Sequence, residues 1–382
     1  MDKKNKNPNV PNLRFSYKGD WSKRKLNEIC LFFKGNGLSK SDLSNEGFPC
    51  ILYGELYTTY KNEVISDIIS KTNTTLSNPF LSRNNDLIIP GSGEDPIDIA
   101  VARAIYQNDI ILGGDLNILR PKSNVSAAFL SYQLNGVRRY DIAKKAQGKS
   151  IVHLHNSDLK EVLVSIPSYD EQLHIVKLLT KIDERIQTQS KIIDTLSSQK
   201  KQIRNLIFKD IHKNANCCIQ DYVIYEQPQK YIVHSTDYLS YGKDYIPVLT
   251  ANQSFILGYT LEKDGIYEKG DCIIFDDFTN ENKYVDFPFK VKSSALKILQ
   301  TKEGLMLKFF YEYLQFLKFE STDHKRHYLS EVAVTDINVP NLKEQTFVCK
   351  VFNSFDSKLK NEEALLEKYR LQKQFFLNNL FI

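Results

Sequence analysis

The sequence predicts an α+β protein in which two mixed α/β globular blocks alternate with two long helices packed as an antiparallel coiled coil. Three observations predict this pseudo-two-fold repeat. A 43-residue segment recurs at an offset of 173 residues. Both copies space their apolar residues at a mean of 3.5, the period of a coiled-coil seam. The stretches that precede the two copies also echo one another, so the unit is block, helix, block, helix. The expected parts are a basic segment at 1–25, blocks at 26–167 and 209–340, and helices at 168–208 and 341–381.

The opening segment holds eight Lys/Arg against two acids, the first block 14 against 15 and the second 15 against 19. In the first block, Pro49-Cys-Ile-Leu-Tyr-Gly and Asn85-Asp-Leu-Ile-Ile-Pro read as short strands, with counterparts at Ile246-Pro-Val-Leu-Thr-Ala-Asn and Gly270-Asp-Cys-Ile-Ile-Phe in the second. These are apolar runs bounded by turn residues. Ala127–Tyr140 and Gly304–Lys318 have helical apolar spacing, and strand-like stretches at Leu159–Ile166 and Val332–Val339 lead into the repeated segment.

That segment opens with Ile166-Pro-Ser-Tyr-Asp-Glu-Gln in one copy and Val339-Pro-Asn-Leu-Lys-Glu-Gln in the other. Proline suits the approach to a helix, Ser168 or Asn341 can cap it, and Glu171 or Glu344 stands three residues on, as in a capping box. Apolar residues then recur at alternating steps of four and three. The first seam runs Ile175, Leu179, Ile182, Ile186, Ile193, Leu196, Ile203 and Ile207; the second runs Val348, Phe352, Phe355, Leu359, Leu366, Tyr369, Phe376 and Leu380. Both break at the same polar slots, Gln189/Glu362 and Lys200/Lys373. Polar seam residues fix register at some cost in stability, and in an antiparallel pair each should meet an interior position of the other helix. Two bundle helices with no further role would show the same pattern; the equal interval between them favours paired spacers.

Composition excludes several classes. Hydrophobic residues make up 42% and charged residues 25%, an ordinary globular balance. No apolar run approaches the ~20 residues of a membrane span, and the polar start resembles no signal peptide, so a soluble cytoplasmic protein is expected. Six cysteines form no C-x-x-C pair, which speaks against zinc or a disulfide framework. Gly91-Ser-Gly93 lacks the rest of a dinucleotide cradle, and Asp271 stands where a phosphate-binding loop needs Lys. Asn78-Pro-Phe80 lacks the second proline of an adenine-methyltransferase loop. Asp276 or Asp277 with Glu281-Asn-Lys283 reads as a turn rather than a nuclease cluster. No catalysis, metal or cofactor is expected in this chain.

Residue types suited to DNA do cluster in each block. Arg138 and Arg139 lead to Lys144, Lys145, Gln147 and Lys149; the counterpart before the second helix is His324-Lys325-Arg326-His327, with Asn252-Gln253 a further candidate. Lys suits phosphate, while Arg suits guanine edges and Gln or Asn adenine edges. For any one of these residues alone, a solvated basic loop is an equal reading; their paired placement ahead of each helix favours contact.

The doubled Pro-x-x-x-Glu-Gln helix, the opening Trp21-Ser-x-x-Lys-Leu26-x-x-Ile29 and the Ala146-Gln-Gly-x-Ser150 turn resemble the specificity subunit of type I restriction-modification systems. The second block departs by having His324–Tyr328 where an Ala-Gln-Gly turn would stand. The resemblance implies two target recognition domains, each reading half of a split asymmetric double-stranded DNA site. The helix pair would act as a ruler and as the docking surface for two modification subunits, through Ile182, Ile186, Ile193, Leu196, Ile203, Phe355, Leu359, Leu366, Tyr369 and Phe376. S-adenosylmethionine, ATP and Mg would belong to those partners and to restriction subunits, with no membrane involved. The alternative is a coiled-coil scaffold without DNA specificity.

Overall fold

The computed structural model describes residues 8–251, 254–319 and 326–382 and forms two compact units, Met1–Ser190 with Ala364–Ile382, and Lys191–Glu363. In the first, a five-stranded sheet runs in the order Cys30–Lys34, Leu116–Pro121, Asp86–Pro90, Arg103–Ile105 and Val64–Ile65, antiparallel except for its last pair. Its central strand is buried along its whole length. Successive side chains point to opposite faces of a strand, so Leu87 and Ile89 join the core beneath helix Ala127–Asn135 while Ile88 joins a second core with Ile118 and Ile105. Burial on both faces explains why Asp86–Pro90 reads as an unbroken apolar run rather than an alternating one. A smaller sheet holds Ile111–Leu112, Phe48–Ile51, Ser70–Thr72 and Leu43–Ser44. Ser22–Lys25 pairs antiparallel with Leu163–Ile166, the strand that feeds the central helix.

The second unit repeats this ground plan with other residues. Val223–Glu226, Leu296–Thr301, Cys272–Asp276 and Asn282–Val285 form an antiparallel sheet in that order. Ile273 and Phe275 face helix Leu307–Leu317, and Cys272 and Ile274 line the opposite core. Ile256–Thr260, Ile246–Leu249 and Lys290–Val291 make the smaller sheet. Cys217–Cys218 pairs with Asp336–Ile337 ahead of the C-terminal helix.

The central helix spans Tyr169–His212 and the C-terminal helix Leu342–Asn379, about 66 and 57 Å long at 1.5 Å per residue. The central one runs four residues beyond the expected 208, because His212 still finds a partner in Tyr313 of its own unit, at 2.9 Å. Within the first unit Ile175 and Leu179 share a core with Leu380 and Phe381, and Asp183 meets Lys373; numbers rise on one helix as they fall on the other. Within the second, Phe208 shares a core with Val348 and Phe352, and Lys200 meets Asp356. The two helices therefore run antiparallel. Ten seam residues were expected to carry the pair: Ile182, Ile186, Ile193, Leu196 and Ile203 on one helix, and Phe355, Leu359, Leu366, Tyr369 and Phe376 on the other. All ten are buried or half-buried.

Candidate nucleic-acid interface

Each helix is seated against its block by the same glutamine. The side-chain oxygen of Gln172 accepts the Ser126 backbone N–H (2.9 Å), and its amide donates to the carbonyls of Asn124 and Pro167. Gln345 does the same in the second unit, accepting from Met306 and donating to Gly304 and Pro340. Ser126 and Met306 are the N-cap positions of the two block helices, so one glutamine orients each block helix against a long one. The caps read from the sequence are present: Ser168 Oγ accepts from Glu171, and Asn341 Oδ1 accepts from Lys343 and Glu344. Glu171 does not complete a capping box. It is 1% exposed, and its carboxylate takes a bidentate ion pair from Arg14 at 2.7 Å and the Trp21 indole N–H. Glu344 is exposed.

The basic loop of the first block is a small hairpin. Gln147–Gly148 pairs with Val152–His153, which pairs in turn with Ser92–Gly93. Gly148 has φ +133, and a Cβ there would lie 2.0 Å from the Ile151 carbonyl oxygen, so the turn requires glycine. This explains the Gln-Gly step physically. Lys144, Gln147 and Lys149 are exposed and Lys145 half-buried, with Tyr140 69% and Ile151 58% exposed nearby. His153 and His155, both exposed, stack with rings nearly parallel.

Arg138 and Arg139 are placed differently. Arg138 donates to the Ile382 carbonyl at 3.0 Å and pairs with Asp141, and Arg139 donates to the Ile97 carbonyl at 3.0 Å. Both are half-buried, so they brace the block rather than project with the lysines. In the second unit, Arg326 is exposed and lies over the Phe278 ring. His327 is 2% exposed, with its Nδ1 on Glu331 and its backbone N–H on the Asp277 carbonyl. It is a packing residue, because a ring so enclosed cannot reach a base edge. Asn252, Gln253, His324 and Lys325 lie outside the described residues. Tyr60 is buried, with its hydroxyl accepting the Ile69 N–H. The Asp276 turn is a turn: its carboxylate caps Phe278 and Thr279, and Asp277 pairs with Lys297.

The geometry defines two units of one plan, each a mixed α/β block packed on its own stretch of paired antiparallel helices, the first carrying an exposed basic hairpin. Residues 18–198 match the type I restriction modification DNA specificity domain, a stretch that spans the first block and most of the first helix. It is 38% identical over 169 residues to the type I restriction enzyme EcoR124I/EcoR124II specificity subunit of Escherichia coli, covering 41% of each chain. It is 22% identical over 290 residues to the putative type I restriction enzyme MjaX specificity subunit of Methanocaldococcus jannaschii, covering 71% of this chain and 64% of that one. The matched parts thus span about two fifths and under two thirds of these relatives. The crystal structure of the type I restriction-modification system S subunit from M. genitalium has the same fold over both repeats, with a TM-score of 0.65, 17% identity and coverage of 98% of this chain and 99% of that one. The resemblance drawn from the doubled Glu-Gln helix is met in sequence over residues 18–198, which hold the first copy of that motif, and in fold over both repeats. Among the described residues, no helix is long and apolar enough to cross a membrane.

Proposed function

We propose that this chain is the DNA-specificity subunit of a type I restriction-modification complex. Each block reads one half of a bipartite, asymmetric double-stranded site, and the helix pair sets the unread gap between the halves. The observation that carries this reading is the duplication: the unit that matches the specificity-domain family in sequence is rebuilt, with different surface residues, in the second half. Two heads of one plan and divergent sequence suit two different half-sites. The exposed Lys144, Gln147 and Lys149 and the half-buried Lys145, in and just before the first head's hairpin, and Arg326 in the second are the proposed contacts, lysines to phosphate and the amide to a base edge. The near-neutral blocks suit a subunit whose grip on phosphate comes largely from partners. Two modification subunits dock on the helix pair and supply S-adenosylmethionine chemistry, restriction subunits supply ATP and Mg chemistry, and this chain contributes no catalysis.

Mapping adenine methylation genome-wide, with and without this gene beside a compatible modification subunit, tests the reading. A gapped two-part motif that vanishes with the gene is expected. An unchanged map from an assembled complex would overturn it and favour a scaffold role.

A further inference from the structure

The two repeated lysines of the seam occupy related junctions, each joining an aspartate of the other helix and a glutamate of the block. Lys373, on the C-terminal helix, pairs with Asp183 of the central helix at 2.7 Å and with Glu63 of the first block at 2.6 Å. Lys200, on the central helix, pairs with Asp356 of the C-terminal helix at 2.5 Å and with Glu312 of the second block at 3.2 Å. Glu312 is held as well by Arg204 of the central helix at 2.7 Å, and Lys308 of the block helix bridges Glu312 (3.0 Å) and Asp356 (2.5 Å). The seam lysine and the aspartate are identical across the repeat, with the helices exchanging roles. The third partner is not. Glu63 comes from the segment that enters strand Val64–Ile65, whereas Glu312 lies on the block helix Leu307–Leu317. Each is almost fully buried, at 6% and 0% exposure. At the place on the first block's helix that corresponds to Glu312, Tyr132 donates its hydroxyl to Asp183 at 2.6 Å.

Blocks that share little sequence thus deliver a buried carboxylate to the same lysine by different routes. A seam lysine that only kept register would need its aspartate and nothing from the block. A buried carboxylate is costly to desolvate and is retained only where it is paired. We infer that Lys373, and in the second unit Lys200 together with Arg204, are positioning residues for specificity: they lock each block to the helix pair at one angle, and so narrow the gap length that the assembled complex accepts. One base pair of gap is a shift of about 3.4 Å and a turn of roughly 35°, small enough for a loosened block to absorb.

This inference rests on the proposed function. The test is the methylation map of complexes carrying Lys373→Met, Lys373→Arg and Glu63→Gln. With Lys373→Met, methylation at sites whose gap is one base pair longer or shorter should rise at least tenfold over the native complex, with both half-site sequences unchanged. Lys373→Arg should restore the native gap. Glu63→Gln keeps the helix-to-helix pair and cuts only the block's leg; it should relax the gap less, and it carries the test if Lys373→Met does not assemble. Native gap selectivity in an active Lys373→Met complex, or in Glu63→Gln if that alone assembles, would overturn the inference. So would loss of methylation or of assembly in both, since the lysine would then serve folding alone. A native complex with no gapped motif would overturn the proposed function itself, and this inference with it.

Discussion

Replacing Gln172 or Gln345 with Ala isolates the seat between block and helix. Both glutamines are 0% exposed, and each satisfies one backbone N–H and two carbonyls within 3.2 Å. Truncation leaves the N–H of Ser126 or Met306 buried without its acceptor, at about 1–3 kcal/mol. The carbonyls lose a donor and the vacated side chain leaves a small void, so the sum is about 3 kcal/mol. Units of this size lose about 2–4 °C per kcal/mol, so each variant should melt about 6–12 °C lower by calorimetry of the full chain. Gln199→Ala is the control. Gln199 is also identical across the repeat, with Gln372, but it is exposed, and its loss should stay within about 0.5 kcal/mol. If Gln172→Ala and Gln345→Ala both melt within about 2 °C of the native chain, or if Gln199→Ala costs as much, the seat is not where the stability lies.

Phe208→Ala should cost about 3–5 kcal/mol, since Phe208 is fully buried among Phe309, Tyr313, Phe316 and Phe352; an unchanged urea midpoint would refute the packing. The paired aspartates should respond oppositely to pH. Burial pushes the Asp183 carboxyl up, helped by Glu63, against the pull of Lys373; its contribution is greatest in acid and shrinks as pH rises through its raised folded pKa. Burial opposes the charge on Asp356 too, but hydrogen bonds from Lys200 and Lys308 prevail and hold it below the carboxylate range. Its contribution is full above about pH 4 and is lost as pH falls through its lowered folded value. At pH 7 Asp356→Asn should therefore cost about 1–2 kcal/mol, discounted because the group is part-exposed, and Asp183→Asn less. Denaturant titrations at about pH 7 and about pH 3.5 check this, since they bracket the ordinary aspartate range: an Asp356→Asn penalty that grows toward acid would contradict the assignment.

The long helices were legible because each seam repeats a period that no strand can carry, and the same polar slots turn up twice. The block strands were legible where burial on both faces makes an unbroken apolar run, as at Asp86–Pro90 and Cys272–Asp276. Register and seating were not. The identity of Gln172 and Gln345 was visible, but their partners are backbone groups of Asn124, Ser126, Gly304 and Met306, and backbone atoms leave no trace in residue type. Glu171 sat at a capping-box position and answers instead to Arg14 and Trp21, some 150 residues away in the chain. The basic run from Arg138 to Lys149 looked uniform in sequence. Folding divides it, because Arg138 and Arg139 flank the start of a short helix whose surroundings offer bare carbonyls at Ile97 and Ile382, while the lysines continue toward a hairpin that faces solvent.

Seven of the nine positions identical in both copies also separate by what the fold asks of them. Gln172/Gln345, Asp183/Asp356, Lys200/Lys373 and Phe208/Phe381 are buried or half-buried, and each has an internal reason to recur: a seat, a pair or a core. Lys177/Lys350, Gln199/Gln372 and Asn205/Asn378 are exposed in both copies, where composition drifts freely and a surface substitution costs about 0.5 kcal/mol or less. Stability gives no ground for keeping them alike on helices whose other outer residues differ. Two equal partners would, because each must find the same residues at the same places on its own half. Under the proposed function the blocks diverge because their targets differ, and these three outer positions agree because the two modification subunits are copies of one protein. A scaffold that holds unlike proteins predicts the reverse at those positions.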